Sequence, residues 1–323
     1  MKKNKIVIAI LILISIAIVA GATPPFRPAL DRWRTMASVR LADDYPLYVM
    51  HYYGDYGFDD AVPRLSQAPH APAWACTTFA ALSSHGDRIL GRSFDWKNRP
   101  SLLLFTDPPT GYASVSMVDA SYLGITGHAP SWANRARLLD APYLPFDGMN
   151  ERGLAVGMMA VPHAQSAQGK ATIDSLLLIR LLLDRARDVD QAVALIQDYT
   201  VDFGGGPPLH YLLADASGRA VVVEFINRDM RVLPNENPWH VATNFVLQPN
   251  PPEGATSSCP RYNLAYETLA RAEGHLDETE CMDLLRQVSQ PNTMWSVVYN
   301  MTTGGIDVAV GRQYERVHHF ELK

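Results

Sequence analysis

The chain has 323 residues, of which 47% are apolar and 19% are charged, and its formal net charge is −5. The apolar fraction is sufficient for a full hydrophobic core, and the charged fraction lies below the roughly 25% of typical soluble domains. The acidic balance and the lack of a Lys/Arg run in the sequence argue against a general nucleic-acid-binding protein. Length alone allows one large domain or two small ones.

The N-terminus combines charge with a long apolar run. Lys2, Lys3 and Lys5 precede IVIAILILISIAIVAGA, residues 6–22, which ends in small residues. This arrangement is typical of a secretory signal peptide. The run also approaches the roughly 20 residues that span a bilayer, so an uncleaved anchor with membrane association through residues 6–22 stays open. Both interpretations of residues 1–22 place the rest of the chain outside the cytoplasm.

We interpret residues 23–75 as a leader that precedes the main domain. Apolar residues at helical spacing predict a helix over residues 26–41, namely Leu30, Trp33, Met36 and Val39. The aromatic residues of 45–58 are expected to pack against a sheet or, alternatively, to line an acyl-binding groove. The Pro-rich stretch AVPRLSQAPHAPAWA predicts an extended linker up to residue 75.

Residues 76–323 form the predicted main domain, in which short apolar strands alternate with paired helices. Helices are predicted over residues 174–186, 188–199, 262–272 and 278–288. The segment LHYLLADASGRAVVVEF reads as a hairpin, because two apolar runs flank a turn sequence. Hairpins and helix pairs, rather than alternating strands and helices, predict an α+β fold with antiparallel sheets.

Cys76 stands at the head of one of these strand-like runs. The other two cysteines, Cys259 and Cys281, either pair in a disulfide or remain free, and both alternatives leave Cys76 unpaired. Arg92 and Asp95 return on the next strand after a turn, and a guanidinium near a thiol lowers its pKa. A cysteine at a new N-terminus can use its own α-amine as the base, so we predict that Cys76 is a nucleophile. The alternative is a buried core cysteine beside a structural Arg92–Asp95 ion pair.

Several motifs around these residues occur in a characteristic order. They are Cys76-Thr77, Gly91-Arg92-Ser93-Phe94-Asp95, Asn150-Glu151-Arg152-Gly153-Leu154-Ala155, Thr243-Asn244 and Arg261 after a Ser-Ser turn. From Cys76 to the C-terminus the chain resembles the choloylglycine hydrolase/penicillin V acylase branch of the N-terminal nucleophile hydrolases. This branch is related to acid ceramidase and N-acylethanolamine acid amidase.

The resemblance implies a four-layer αββα sandwich and an amidase that needs neither a cofactor nor a metal. It implies catalytic roles for Cys76, Arg92, Asp95, Asn244 and Arg261, and self-cleavage between Ala75 and Cys76. Asn244 is then an oxyanion donor, whereas Asn150 is expected to hold a turn.

The chain departs from the family's pattern at two places. Ala160, ten residues after Asn150, stands where the family commonly has an oxyanion-hole asparagine. The leader before Cys76 is longer than in bile-salt hydrolases and is closer to that of acid ceramidase.

The predicted substrate is a small-molecule N-acyl amide, with homo-oligomers expected from the relatives. The histidines match no metal-site spacing, so no metal site is predicted. Two other functions stay open. One is an acyltransferase that uses the same acyl-enzyme, and the other is a non-catalytic exported binding protein, which the alanine at position 160 favours.

Overall fold

A computed structural model describes residues 26–61, 75–97, 99–127, 130–166, 171–204, 206–248 and 259–322. Two large β-sheets pack face to face through the main hydrophobic core, and helices cover their outer faces. This confirms the predicted α+β sandwich. Residues 1–22, on which the signal or anchor prediction rests, lie outside the described ranges. No helix within those ranges is long and apolar enough to cross a bilayer.

The larger sheet has nine strands, which we number in chain order. Across the sheet they are β1 (Arg40–Asp43), β2 (Leu47–Tyr52), β5 (Ser101–Thr106), β6 (Ser114–Asp119), β7 (Asp147–Asn150), β8 (Ala155–Ala160), β11 (Leu209–Ala214), β12 (Ala220–Ile226) and β13 (Asp229–Pro234). The pairs are antiparallel except for β2 with β5, which departs from the predicted all-antiparallel arrangement. Strands β11 and β12 form the predicted hairpin.

The smaller sheet has six strands, and the strand that holds Cys76 lies next to one edge. In order these are β14 (Trp239–Ala242), β3 (Ala75–Ala81), β4 (Ile89–Asp95), β15 (Thr293–Asn300), β16 (Gly305–Val310) and β17 (His318–Glu321). All of its pairs are antiparallel. A separate parallel pair joins β9 (Ala171–Asp174) to β10 (Tyr199–Asp202).

Four helices of the main domain lie where their sequence patterns predict them, whereas the short helices at Phe58–Ala61 and Trp132–Arg135 were not predicted. In chain order the helices are α1 (Arg27–Ser38), α2 (Phe58–Ala61), α3 (Trp132–Arg135), α4 (Ser175–Arg185), α5 (Val189–Gln197), α6 (Pro260–Arg271) and α7 (Glu278–Val288), with 3-10 turns at Ala120–Leu123 and Ala136–Tyr143. Side chains of Asp174, Asp188 and Asp277 cap α4, α5 and α7. Helices α6 and α7 pack on the outer face of the six-stranded sheet.

The leader is part of the larger sheet. Strand β2 pairs with β5 over its whole length, from Leu47 opposite Ser101 to Tyr52 opposite Thr106. The predicted leader helix ends at Ser38 rather than continuing to residue 41, because the chain turns there into β1. The predicted apolar stripe of this helix does not face the core, since Leu30 and Trp33 are exposed.

Candidate active site

The β3–β4 hairpin places Arg92 against the Cys76 thiol. In its register Cys76 lies opposite Phe94, and Thr78 lies opposite Arg92. Because alternate residues of a strand share a face, Cys76, Thr78 and Arg92 all point toward the nine-stranded sheet. Cys76 and Arg92 are fully buried. Burial raises the pKa of the Cys76 thiol, and the Arg92 guanidinium that faces the sulfur acts in the opposite direction.

A buried carboxylate compensates the charge of Arg92. The Arg92 Nε donates to Asp147 Oδ2 at 2.7 Å, and Asp147 also accepts from Trp295 Nε1 at 3.1 Å and from the Tyr299 hydroxyl at 2.6 Å. We call Asp147, Arg92, Trp295 and Tyr299 the Asp147 network; it joins β7 of one sheet to β4 and β15 of the other. A buried charge without a partner costs several kcal/mol. Asp147 therefore allows a guanidinium to lie beside the thiol.

A glycine on β8 makes room for this arrangement. A Cβ atom at Gly157 would lie 2.7 Å from Thr78 Cγ2 and 3.3 Å from Arg92 Cδ. The first distance is shorter than carbon–carbon contact allows, so a larger residue would push the two sheets apart at the strand that holds Cys76. The glycine of the GLAVGMMAV strand is thus explained by the close approach of the sheets.

Asp95, the last residue of β4, lies opposite Ala75, the first residue of β3. Its Oδ1 accepts from the Thr293 hydroxyl at 2.5 Å, and its Oδ2 lies 3.7 Å from Arg261 Nη1. Within the described residues, Oδ2 is buried and accepts no hydrogen bond. Burial raises the pKa of Asp95 to about 6, against the lowering effect of Thr293 and the two arginines, Arg261 and Arg92. At neutral pH most of this carboxyl group is therefore ionised, and its Oδ2 can accept a hydrogen bond beside the Ala75–Cys76 bond.

Asn244 follows β14, whose register continues toward the start of β3. Its Oδ1 accepts from the Cys76 backbone N–H at 2.7 Å and from Arg261 Nη2 at 2.9 Å. Its Nδ2 donates to the Ala160 carbonyl at 2.8 Å. Since two donors meet one amide oxygen and a carbonyl meets the nitrogen, the orientation of the amide is determined.

Arg261, in the first turn of α6, completes the cluster. Its Nη1 donates to Thr77 Oγ1 at 2.9 Å and also to the Cys76 carbonyl. The structure therefore brings together all five predicted site residues, which are Cys76, Arg92, Asp95, Asn244 and Arg261. Ala160, the position of the missing asparagine, belongs to the same site through its main-chain carbonyl.

A second polar network, which the sequence reasoning missed, lies behind Asn244. His210 Nδ1 lies 3.0 Å from Glu224 Oε1, and His210 Nε2 lies 2.7 Å from the Thr243 carbonyl. Glu224 Oε1 accepts the N–H of Leu247 at 2.7 Å, and Oε2 accepts that of Gln248 at 3.0 Å. We call His210, Glu224 and their main-chain partners at Thr243, Leu247 and Gln248 the Glu224 network. The available signal was a histidine and a glutamate inside the otherwise apolar runs LHYLL and VVVEF.

The remaining sequence predictions concern residues near the site. Asn150 holds a turn as predicted, because its Oδ1 accepts the backbone N–H groups of Arg152 and Leu154. Cys259 and Cys281 form no disulfide, so the free-thiol alternative is correct.

Comparison with known proteins identifies the family. A model of the family "Acyl-coenzyme A:6-aminopenicillanic acid acyl-transferase" matches residues 145–315, slightly more than half of the chain. "Uncharacterized protein A284L" of Paramecium bursaria Chlorella virus 1 is 27% identical over 139 residues, which cover 40% of this chain and 49% of that protein. The chain thus spans about half the length of this curated relative.

Solved structures share the fold at low sequence identity. Penicillin V acylase from Agrobacterium tumefaciens superposes with a TM-score of 0.54 at 18% identity, over 76% of this chain and 86% of that one. A mutant conjugated bile acid hydrolase from Clostridium perfringens gives a TM-score of 0.53 at 14% identity, over 76% and 92%. Both superpositions show that the chain shares the fold of these structures. The chain belongs to the acyl-coenzyme A:6-aminopenicillanic acid acyl-transferase family, and the predicted resemblance to the penicillin V acylase type is confirmed.

Proposed function

We propose that this chain is an N-terminal cysteine amidohydrolase that matures by cleaving its own Ala75–Cys76 bond and then hydrolyses a linear N-acyl amide. The observation that carries the proposal is the arrangement around that bond. Arg92 faces the thiol, and Asp95, opposite Ala75, has a buried carboxylate oxygen that accepts no hydrogen bond within the described residues. A new α-ammonium at Cys76 would supply that oxygen with a donor.

Maturation begins with attack of the Cys76 sulfur on the Ala75 carbonyl carbon. The C–N bond breaks and a C–S bond forms, which moves the acyl group from nitrogen to sulfur. Water then hydrolyses the thioester, releasing the Ala75 carboxylate, the Cys76 thiol and a free α-amine. Ala75 is small, so it leaves room for the attacking sulfur.

The mature site repeats this chemistry on substrate. The α-amine accepts the thiol proton, and the thiolate attacks the acyl carbon of the amide. The amine leaves with a proton, and water then hydrolyses the thioester. Arg92 favours the thiolate against its burial, and Asp95 orients the α-amine.

Asn244 is the proposed donor to the tetrahedral oxyanion. Its amide is oriented by the Cys76 N–H and Arg261, and its nitrogen lies on the side of Ala160. In place of the family's second asparagine we propose a backbone N–H as the other donor. Donors held in place before the reaction stabilise developing charge without reorganisation.

We propose an exported, extracytoplasmic enzyme whose substrate is an N-acyl amide of a lipid or signalling type. The support is the apolar run at residues 6–22 and the long leader before Cys76. The two solved relatives are an acylase for penicillin V and a hydrolase for conjugated bile acids, as their names state.

A second candidate is acyl transfer, in which an amine rather than water takes the acyl group from Cys76. The name of the matching family favours it. Reaction of an N-acyl amide in the presence of a second amine distinguishes the two. A new amide product supports transfer, and free carboxylic acid alone supports hydrolysis.

The first test is the intact mass and N-terminal sequence of the purified protein, for wild type and Cys76→Ala side by side. We expect wild type to yield a chain that begins at Cys76 and the variant to remain uncut. Wild type that stays uncut and hydrolyses no N-acyl amide contradicts the proposal. Cleavage in both proteins assigns maturation to a separate protease.

A further inference from the structure

His210 and Glu224 form a buried pair of titratable side chains between the two sheets. Each has an exposed fraction of only 1%. The Nδ1 of His210 meets the Glu224 carboxylate at 3.0 Å, and its Nε2 meets the Thr243 carbonyl at 2.7 Å. Neither the proposed self-cleavage nor the proposed hydrolysis uses this pair.

Counting donors and acceptors determines the number of protons on the pair. The Thr243 carbonyl can only accept, so Nε2 must carry a proton. Glu224 accepts the Leu247 and Gln248 N–H groups, one on each carboxylate oxygen. Hydrogen bonds from backbone N–H groups favour the ionised carboxylate. The remaining proton therefore belongs on Nδ1, which makes His210 an imidazolium paired with a carboxylate.

The His210–Glu224 pair contacts the main chain on both sides of Asn244. His210 binds the carbonyl of Thr243, directly before Asn244, and Glu224 binds the N–H groups of Leu247 and Gln248, shortly after it. Asn244 itself lies beyond the last residue of β14. Strand pairing therefore does not hold it, and the Glu224 network holds the main chain on both sides of it.

We propose that His210 is a positioning residue, kept as an imidazolium by Glu224, which holds the 243–248 segment so that the Asn244 amide stays directed at Cys76. The proposal rests on the proposed function insofar as Asn244 is the oxyanion donor. Its structural part, the doubly protonated ring, does not depend on any activity.

Both contacts of His210 depend on the second proton. A ring with one proton could donate to the Thr243 carbonyl or to Glu224, but not to both. The segment that carries Asn244 would then be held by fewer hydrogen bonds, and turnover would fall.

The first experiment is NMR of ¹⁵N-histidine-labelled Cys76→Ala protein, which contains the network whether or not the enzyme is active. We expect the His210 imidazole to have both nitrogens protonated at neutral pH, and we expect its signals to disappear in Cys76→Ala/His210→Asn. A His210 ring with an unprotonated Nδ1 overturns the proposal. If the double variant does not fold, Glu224→Gln in the same background is used, and the His210 signals should then change to those of a neutral ring.

The second experiment is kinetics of the mature enzyme with an N-acyl amide. A small displacement of a catalytic group can cost about 100-fold in rate. His210→Asn should thus lower kcat by about 10–100-fold with KM changed less than about threefold. His240→Asn, whose ring binds the Leu233 carbonyl instead, is the matched control and should stay within about twofold.

A double-variant cycle separates positioning from general damage. In the Asn244→Ala background, His210→Asn should lower kcat by less than about threefold, since the group that it positions is gone. An undiminished loss in that background overturns the proposal. A wild-type protein without activity contradicts the proposed function. The NMR result still determines whether His210 is doubly protonated.

Discussion

The Asp147 and Glu224 networks both cross from the nine-stranded sheet toward the six-stranded sheet. The first contains Arg92, and the second binds the main chain on both sides of Asn244. They differ in what they hold. Asp147 binds the side chain of Arg92, whose position is already determined by the pairing of β3 with β4 and of β4 with β15. The Glu224 network binds main-chain groups of a segment that follows an edge strand.

This difference separates charge compensation from positioning. Removing Asp147 leaves Arg92 in its strand but without its carboxylate, so the effect should fall mainly on stability. Weakening the Glu224 network leaves the strands paired but loosens the segment that carries Asn244, so the effect should fall mainly on turnover. The comparison can be tested by asking which measured quantity responds to each change.

The largest effect is expected for Asp147→Asn in the Cys76→Ala protein. The substitution leaves the buried Arg92 without its counter-charge, so the free energy of unfolding should drop by about 3–5 kcal/mol. Urea unfolding followed by fluorescence measures this. The control is the pair Arg92→Met/Asp147→Leu, which removes both charges and should recover part of the loss. If the free energy of unfolding of the Asp147→Asn variant lies within about 1 kcal/mol of that of its Cys76→Ala parent, Asp147 does not stabilise the fold by compensating the charge of Arg92.

Asn244→Ala should leave the fold intact and lower kcat by about 10²–10³-fold, the usual cost of losing one oxyanion donor. Asn244→Asp is the informative companion. It keeps an acceptor for the Cys76 N–H and Arg261 but removes the N–H₂ group. Wild-type turnover in Asn244→Asp would show that Asn244 anchors the N-terminus and donates nothing to the oxyanion.

The sequence predicts the cluster around Cys76 because its members lie in short motifs. Cys76, Arg92 and Asp95 fall within one hairpin, whose register follows from alternation and turn position. Asn244 and Arg261 were assigned by resemblance, and the structure places them beside Cys76.

The supporting residues could not be derived in this way. Asp147, His210 and Glu224 act across the gap between two sheets, and which strands face each other there is not encoded in local periodicity. A polar residue inside an apolar strand indicates a buried partner without identifying it. The prediction that the apolar stripe of α1 faces the core was wrong for a related reason. Helical spacing reveals an apolar face but not what that face contacts.

A smaller effect concerns Asp95, whose pKa is raised by burial from 3.8 to about 6. The folded protein binds this proton more tightly than the unfolded chain does. The free energy of unfolding of Cys76→Ala should therefore fall as pH rises from about 4 to about 6, by up to about 3 kcal/mol. Asp95→Asn in that background should abolish this step. A pH profile of stability that is the same in both proteins would rule out burial of the carboxylate as the cause.

The smallest effect is expected where the leader meets the main domain. The Tyr56 hydroxyl donates to Asp184 Oδ2 at 2.5 Å, and Arg180 Nε lies 2.9 Å from Asp184 Oδ1. Tyr56→Phe removes one hydrogen bond to a charged group and should lower the free energy of unfolding by about 1.5–3 kcal/mol. It should leave kcat unchanged within about twofold, because none of the five site residues touches it.

The same contact bears on the fate of the leader after cleavage. Because β2 lies inside the nine-stranded sheet, cutting at Ala75 breaks a covalent bond but none of the pairs between β2 and β5. Size-exclusion chromatography of the cleaved wild type should therefore show the leader and the Cys76 chain in one peak, with Tyr56→Phe releasing the leader at lower urea concentration. A leader that separates without denaturant would mean that this edge of the sheet is held less strongly than either network. The leader contact would then contribute less to stability than either network, and it would also affect turnover least.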